Sequence, residues 1–213
     1  MKYIALIAGL SDSGSEEAWI AAQPDLEAAC KRINQRRVAL GLVSPFSITS
    51  DTEVQAVFRS AKGLWAAIFE LELAMAPLRL RYGMGIGEIT TRINDREATG
   101  MEGEAFENAQ ASFDSLKEKE VGKEKHFRIK GLGEEEMLAQ HALDLVSYQR
   151  NSWRNNRVAT FLGMLKGESA QITAEKLSTS EQAVYRNIRD GDLKTVQGLL
   201  AELSRLMGEK LTN

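Results

Sequence analysis

The chain predicts an α+β protein: a mainly antiparallel sheet domain over residues 1–131, then an all-α domain with a helix-turn-helix over residues 134–213. Three observations carry this. Strand-like and helix-like segments interleave in the first part, in the order strand, helix, hairpin, helix, strand. After about Glu136 every periodic segment is helical. Within that second part, QITAEKLSTSEQAVYRNI at 171–188 reads as two short helices around a tight turn.

Residues 3–8 are β-branched, aromatic and aliphatic, the signature of a buried central strand, and Gly9 opens a loop. From about Glu16 to Leu40 the apolar spacing is helical, with Trp19, Leu26, Ala29, Ile33 and Leu40 as core positions and a break at Pro24. Phe46 and Ile48, then Val54, Ala56 and Phe58, alternate with polar residues around Asp51-Thr52, which is a hairpin. An apolar helix runs from Leu64 to Met75 and Pro77 closes it. Residues 78–91 then carry Gly83, Gly85 and Gly87 at alternate positions. Such a strand has one bare face, open to a ligand or to another backbone, including a closely packed helix. A further helix starts near Gly103 and passes through Phe106, Ala109 and Phe113. Residues 117–125 are charged loop, and Phe127 to Ile129 is a last strand. The expected sheet has four or five strands, with its helices largely on one face.

The second part contains helices at 137–148 and 153–165, the helix-turn-helix, and 193–207, where Leu193, Val196, Leu200, Leu203 and Met207 form one stripe. That stripe serves either a homodimer seam or the core of the helix-turn-helix. In the motif itself, Ala174 and Leu177 point inward from the first helix. Ser178, Thr179 and Ser180 make the turn, and Ser180 caps the second helix. Ala183, Val184 and Ile188 are its buried side. Gln182, Tyr185, Arg186 and Arg189 remain outside, with Lys176 and Lys194 near. This is the layout in which a second helix enters the DNA major groove. The alternative is a helical hairpin that only packs.

With 213 residues, 43% of them hydrophobic and 27% charged, the chain can bury a sizeable core. Its net charge of −3 excludes a whole-protein basic field, so a DNA partner would need a local patch. Cys30 is the single cysteine; no intrachain disulfide can form, and it reads as a packing residue in a reducing compartment. No apolar run approaches a membrane span, and a cytoplasmic location is expected. His126 and His141 lack metal-ligand spacing, and His126 reads as a strand-end surface residue. Trp65 and Trp153 lie in apolar stripes. Lys2, Lys31, Arg32, Arg36 and Arg37 read as a solvated face.

MKYIALI at the start, FSITSDTEVQAVF in the hairpin, RYGMGIGEITT followed by INDREATGMEGEAFENA, and then the Trp153 helix and helix-turn-helix together resemble the SatD family of bacterial proteins over nearly the whole chain. The resemblance implies a regulator. The first part also resembles the palm of nucleotide cyclases and diguanylate cyclases, a ferredoxin-like sheet. A palm of that kind needs one carboxylate after the first strand and one in the hairpin turn to hold metals. Those places here hold Gly9 and Thr52. Asp12 and Asp51 are near in sequence, although a one-residue offset turns a strand residue to the other face. Glu53 matches the family's glutamate, and Arg81 stands before the glycine strand, where it meets a phosphate or a surface carboxylate. Candidate nucleotide-binding residues are therefore Asp12, Asp51, Glu53, Arg81, Gly85 and Gly87, with no metal, cofactor or catalytic residue assigned. Candidate DNA-binding residues are Lys176, Ser180, Gln182, Tyr185, Arg186, Arg189 and Lys194. The leading expectation is a DNA-binding transcriptional regulator with a pseudoenzyme palm. The alternatives are a nucleotide-binding or cyclising enzyme with non-standard carboxylates, and a protein-interaction module.

Overall fold

The computed structural model of the chain describes residues 1–10, 16–50, 53–117 and 124–212. Asp12, Asp51 and Thr52 lie outside the described residues. Among those described, the strands are β1 (Lys2–Leu10), β2 (Leu42–Ser50), β3 (Glu53–Phe58), β4 (Leu80–Glu88) and β5 (Phe127–Lys130). They form one sheet in the order β2-β3-β1-β4-β5. β1 pairs antiparallel with both β3 and β4, β2 pairs antiparallel with β3, and β5 adds parallel to β4. The first four strands thus have ferredoxin-like order, extended at one edge. The helices are α1 (Glu16–Asn34), α2 (Arg37–Leu40), α3 (Leu64–Ala74), α4 (Glu104–Ser115), α5 (Glu136–Asn151), α6 (Asn155–Leu165), α7 (Ala170–Lys176), α8 (Glu181–Asp190) and α9 (Leu193–Thr212).

Pro24 does not break the first helix. It sits inside α1 at an exposed position. The interruption falls instead at Gln35-Arg36. Just before it, Asn34 makes a two-way bond to edge strand β2: its Nδ2 donates to Phe46 O and its Oδ1 accepts from Phe46 N, at 2.9 and 2.8 Å. The side chain thereby satisfies backbone that an edge strand leaves open.

Strand alternation sorts the sheet into two faces. Ile4, Leu6, Ala8, Val54, Ala56, Phe58, Tyr82 and Met84 point toward α1 and α3. Ala5 and Ile7 point the other way, into a smaller cluster with Ala105, Ala109 and Phe113 of α4. One helix therefore departs from the expected one-faced arrangement. Its β4–α4–β5 connection has the opposite hand to β3–α3–β4, because α3 and the C-terminal helices already occupy the first face. The alternate glycines make this second layer fit. A Cβ on Gly83 would stand 2.5 Å from Ala109 O and Phe113 N, and one on Gly85 would collide with Ala105 O and Ala109 N. The bare face of β4 receives a helix backbone.

The hydrophobic core continues across the Gly131–Glu136 region without a gap. Leu143, Val146, Trp153, Phe161, Leu193, Val196, Leu200, Leu203 and Met207 join the same cluster as the α1–α3 face of the sheet. The α9 stripe is thus spent inside the molecule and is not free to act as a dimer seam. Phe69 of α3 packs edge-on against Phe161 of α6 at 4.8 Å between centroids, and Trp65 Nε1 donates to Ser204 Oγ of α9 at 3.0 Å. All three tryptophans are core: Trp19, Trp65 and Trp153 are 1%, 5% and 3% exposed. Cys30 is buried, and burial pushes its thiol up to about 12, so it is inert at neutral pH.

Two buried carboxylates tie the layers together. Glu72 of α3 meets Arg150 of α5 at 2.6 Å, both almost fully buried. Glu70 meets Arg36 at 2.6 Å and Lys166 at 2.8 Å, with Arg32 at 3.9 Å. Arg32 and Arg36 are therefore structural cations rather than a merely solvated face. His126 is not a surface residue: it is 1% exposed, and its Nε2 lies 2.9 Å from Asn151 Oδ1.

Candidate functional site

The second half of the chain presents one helix outward. α7 begins at Ser169, whose hydroxyl accepts from Ile172 N at 3.2 Å. Thr173 and Ala174 are buried beneath it. The turn passes through Ser178 at φ +49°, a left-handed conformation favoured by glycine. Ser180 then caps α8, its Oγ accepting from Ala183 N at 3.2 Å. The cap occupies that hydroxyl as an acceptor. Val184 anchors α8 at 1% exposure, with Ala183 and Ile188 partly buried beside it.

On the opposite side Gln182, Tyr185, Arg186 and Arg189 are exposed, Tyr185 by 59%. These four residues share a concavity with Ile188, Asp192 and Lys194. The surface offers a carboxamide, a phenol ring, two guanidinium groups and an ammonium. Arg189 Nε lies 2.9 Å from Asp190, an exposed pair of small energetic weight. Lys176 is not part of this group; its Nζ is held 2.6 Å from Glu168. Acidic Glu175, Glu181, Asp190 and Asp192 are exposed in the same unit and oppose its positive charge.

The other flank of α8 carries residues that the sequence reading did not single out. Arg154, Asn155, Asn156 and Arg157, at the start of α6, line a polar hollow with Asn187 and Ser152. Arg157 Nε is buried there with no hydrogen-bond partner. The signal was present in NSWRNNR, where two arginines three apart follow a core tryptophan. It carried no weight because the motif was read from 171 onward. α8 therefore has cationic groups along both sides, Lys194 on one and Arg154 with Arg157 on the other.

At the end of the sheet, Gly9 sits in register between Glu53 of β3 and Arg81 of β4. Glu53 Oε1 is 3.9 Å from Lys117 Nζ. Arg81 is 6% exposed, and its Nη2 is 3.7 Å from Glu124 Oε1. Gly85 and Gly87 lie beneath α4, so a nucleotide has no access to their bare face. Among the described residues of this corner, Gly9 brings no side-chain ligand and Glu53 stands beside a lysine; Asp12 and Asp51 lie outside the described residues.

Sheet and helices together define an α+β protein with a ferredoxin-like sheet and a helix-turn-helix packed on α6 and α9. The SatD family model matches residues 3–195, and the chain belongs to the SatD family. Among solved structures, the crystal structure of the guanylyl cyclase Cya2 is similar at 14% identity and a TM-score of 0.36, over 54% of this chain and 70% of that chain. No curated protein matches the chain. Among the described residues, no helix is long and apolar enough to cross a membrane.

Proposed function

We propose that this SatD family protein is a DNA-binding transcriptional regulator whose α8 enters the major groove. The observation that supports this reading is the capped, outward-facing surface of Gln182, Tyr185, Arg186 and Arg189, none of them covered by the rest of the chain. Gln182 and Tyr185 approach base edges, and Arg186 reaches guanine or phosphate. A helix in the major groove has a phosphate strand on each side. Lys194 and Arg157 stand on the corresponding flanks. The four acidic neighbours keep affinity for random sequence modest, at about 10⁻⁴–10⁻⁶ M.

The test is titration of random-sequence duplex DNA at several salt concentrations. Binding should weaken steeply with salt. Charge reversal of Arg186 and Arg189 to Glu should abolish it while shifting stability by no more than about 0.5 kcal/mol, because both are exposed. Absence of salt-dependent binding by the unaltered protein overturns the reading.

In this proposal the palm is a scaffold and not a cyclase. Its support is Gly9 at one ligand place and the Glu53–Lys117 approach beside it. Incubation with ATP or GTP and magnesium or manganese should yield no cyclic or linked product. Turnover that Glu53→Ala or Asp51→Ala abolishes would establish the enzyme reading in its place.

A further inference from the structure

Helix α5 is apolar on two opposite sides. Ala139, Leu143 and Val146 face the core, with the buried Arg150 on the same side. Across the helix, Met137, Leu138, Leu145 and Tyr148 are 73%, 70%, 60% and 56% exposed, and His141 is exposed between them. At 3.6 residues per turn these five positions fall within an arc of about 100°, facing away from the core. Four of the chain's large exposed hydrophobic side chains thus lie on one 16-residue helix. A helix apolar on both sides is normally covered on both sides, and a contiguous exposed patch marks an interaction surface.

We infer that a second copy of this chain covers the outer face of α5, with the two α5 helices antiparallel about a two-fold axis that lies between them at the level of Leu143. The spacing is self-complementary, as a two-fold interface requires. Leu138 and Tyr148 are equidistant from Leu143, and so are His141 and Leu145. Antiparallel pairing therefore sets Leu138 against Tyr148 of the second copy, and His141 against Leu145. The charges at the two ends match as well. Glu134 precedes the helix and Arg154 follows it; both are exposed, and neither makes an ion pair with a described residue. The two-fold sets Glu134 of each copy level with Ser152 of the other, two positions from Arg154 and within the length of its side chain, and it opposes the two helix dipoles. One helix stripe is smaller than the ~800 Å² per partner of a standard stable interface. Dissociation is therefore expected at about micromolar concentration.

The inference does not depend on DNA binding, and its test uses no DNA. Sedimentation equilibrium of the full chain from about 1 to 100 µM brackets that constant, and a monomer–dimer equilibrium is expected. Leu138→Glu with Leu145→Glu should leave a monomer across the range, with thermal unfolding unchanged at concentrations where the unaltered chain is itself monomeric, because both sites are exposed in the monomer. Glu134→Arg alone and Arg154→Glu alone should each weaken the dimer several-fold, and the two combined should restore it. A monomer at every concentration would overturn the inference in favour of a different protein partner. So would a dimer indifferent to the two leucine changes, and so would charge reversals that fail to compensate each other.

Discussion

Ser178 holds φ +49° in the turn between α7 and α8. A residue with a Cβ pays roughly 1–2 kcal/mol for that conformation, whereas glycine adopts it freely at an entropic cost of about 0.5–1 kcal/mol. Ser178→Gly should therefore stabilise the protein by about 0.5 kcal/mol, seen as a higher urea midpoint at unchanged slope. A lower midpoint would mean that the serine side chain contributes more than its strain costs. Some residue roles were legible in the sequence because they depend on near neighbours. Ser180 is one: an N-cap needs a hydroxyl and the amide three residues on. His126 was not legible, since what buries it and meets its Nε2 is Asn151, 25 residues away and on another element.

Helix α3 shows the same divide between elements. Its apolar run predicts a buried helix, and it is one. Nothing in that run says where Glu70 and Glu72 go, because their partners come from the turn between α1 and α2, from α5 and from the residue that ends α6. For Glu70, burial alone would raise the carboxyl pKa. The hydrogen bonds and charges of Lys166 and Arg36 outweigh it and hold the pKa below its ordinary value. A depressed folded-state pKa adds stability that is present above the unfolded value of about 4.3 and is lost as pH falls through the folded value. Unfolding followed from pH 7 downward should show an acid loss below about pH 4.3 that Glu70→Gln reduces. An unchanged acid limb in that variant would show that the three cations contribute no net pairing energy. The glycine strand is a parallel case. Alternate glycines announce a close approach, but only the topology decides that α4, rather than a ligand, makes it.

At the scale of the whole molecule, the succession of strands and helices along the chain and the helical second half were legible from periodicity alone. The joining of the halves was not. GLGEEE at 131–136 has the composition of a linker, yet the core runs past it, because α6 and α9 return to the face that α3 shares with the sheet. Sequence patterns report which side of a helix is apolar and leave its partner unnamed. For that reason the α9 stripe read equally as a seam between subunits or as core, and it is core. The same reasoning leaves the outer face of α5 as the surface still to be covered. The helix-turn-helix packs on α6 and α9, and α6 is in turn fixed to α3 through Phe69, Phe161 and Trp153.

Burial of all three tryptophans has an optical consequence. Indole emission from this protein originates in the interior, and α8 contributes no indole of its own. A ligand that touches only Tyr185 and its neighbours leaves that emission in place. If the emission of Trp153, packed edge-on 5.0 Å from Phe161, changes colour when a ligand is added, the disturbance has travelled from the outer helix into the shared interior. The unlabelled chain thereby distinguishes surface docking from a rearrangement that the sheet would feel.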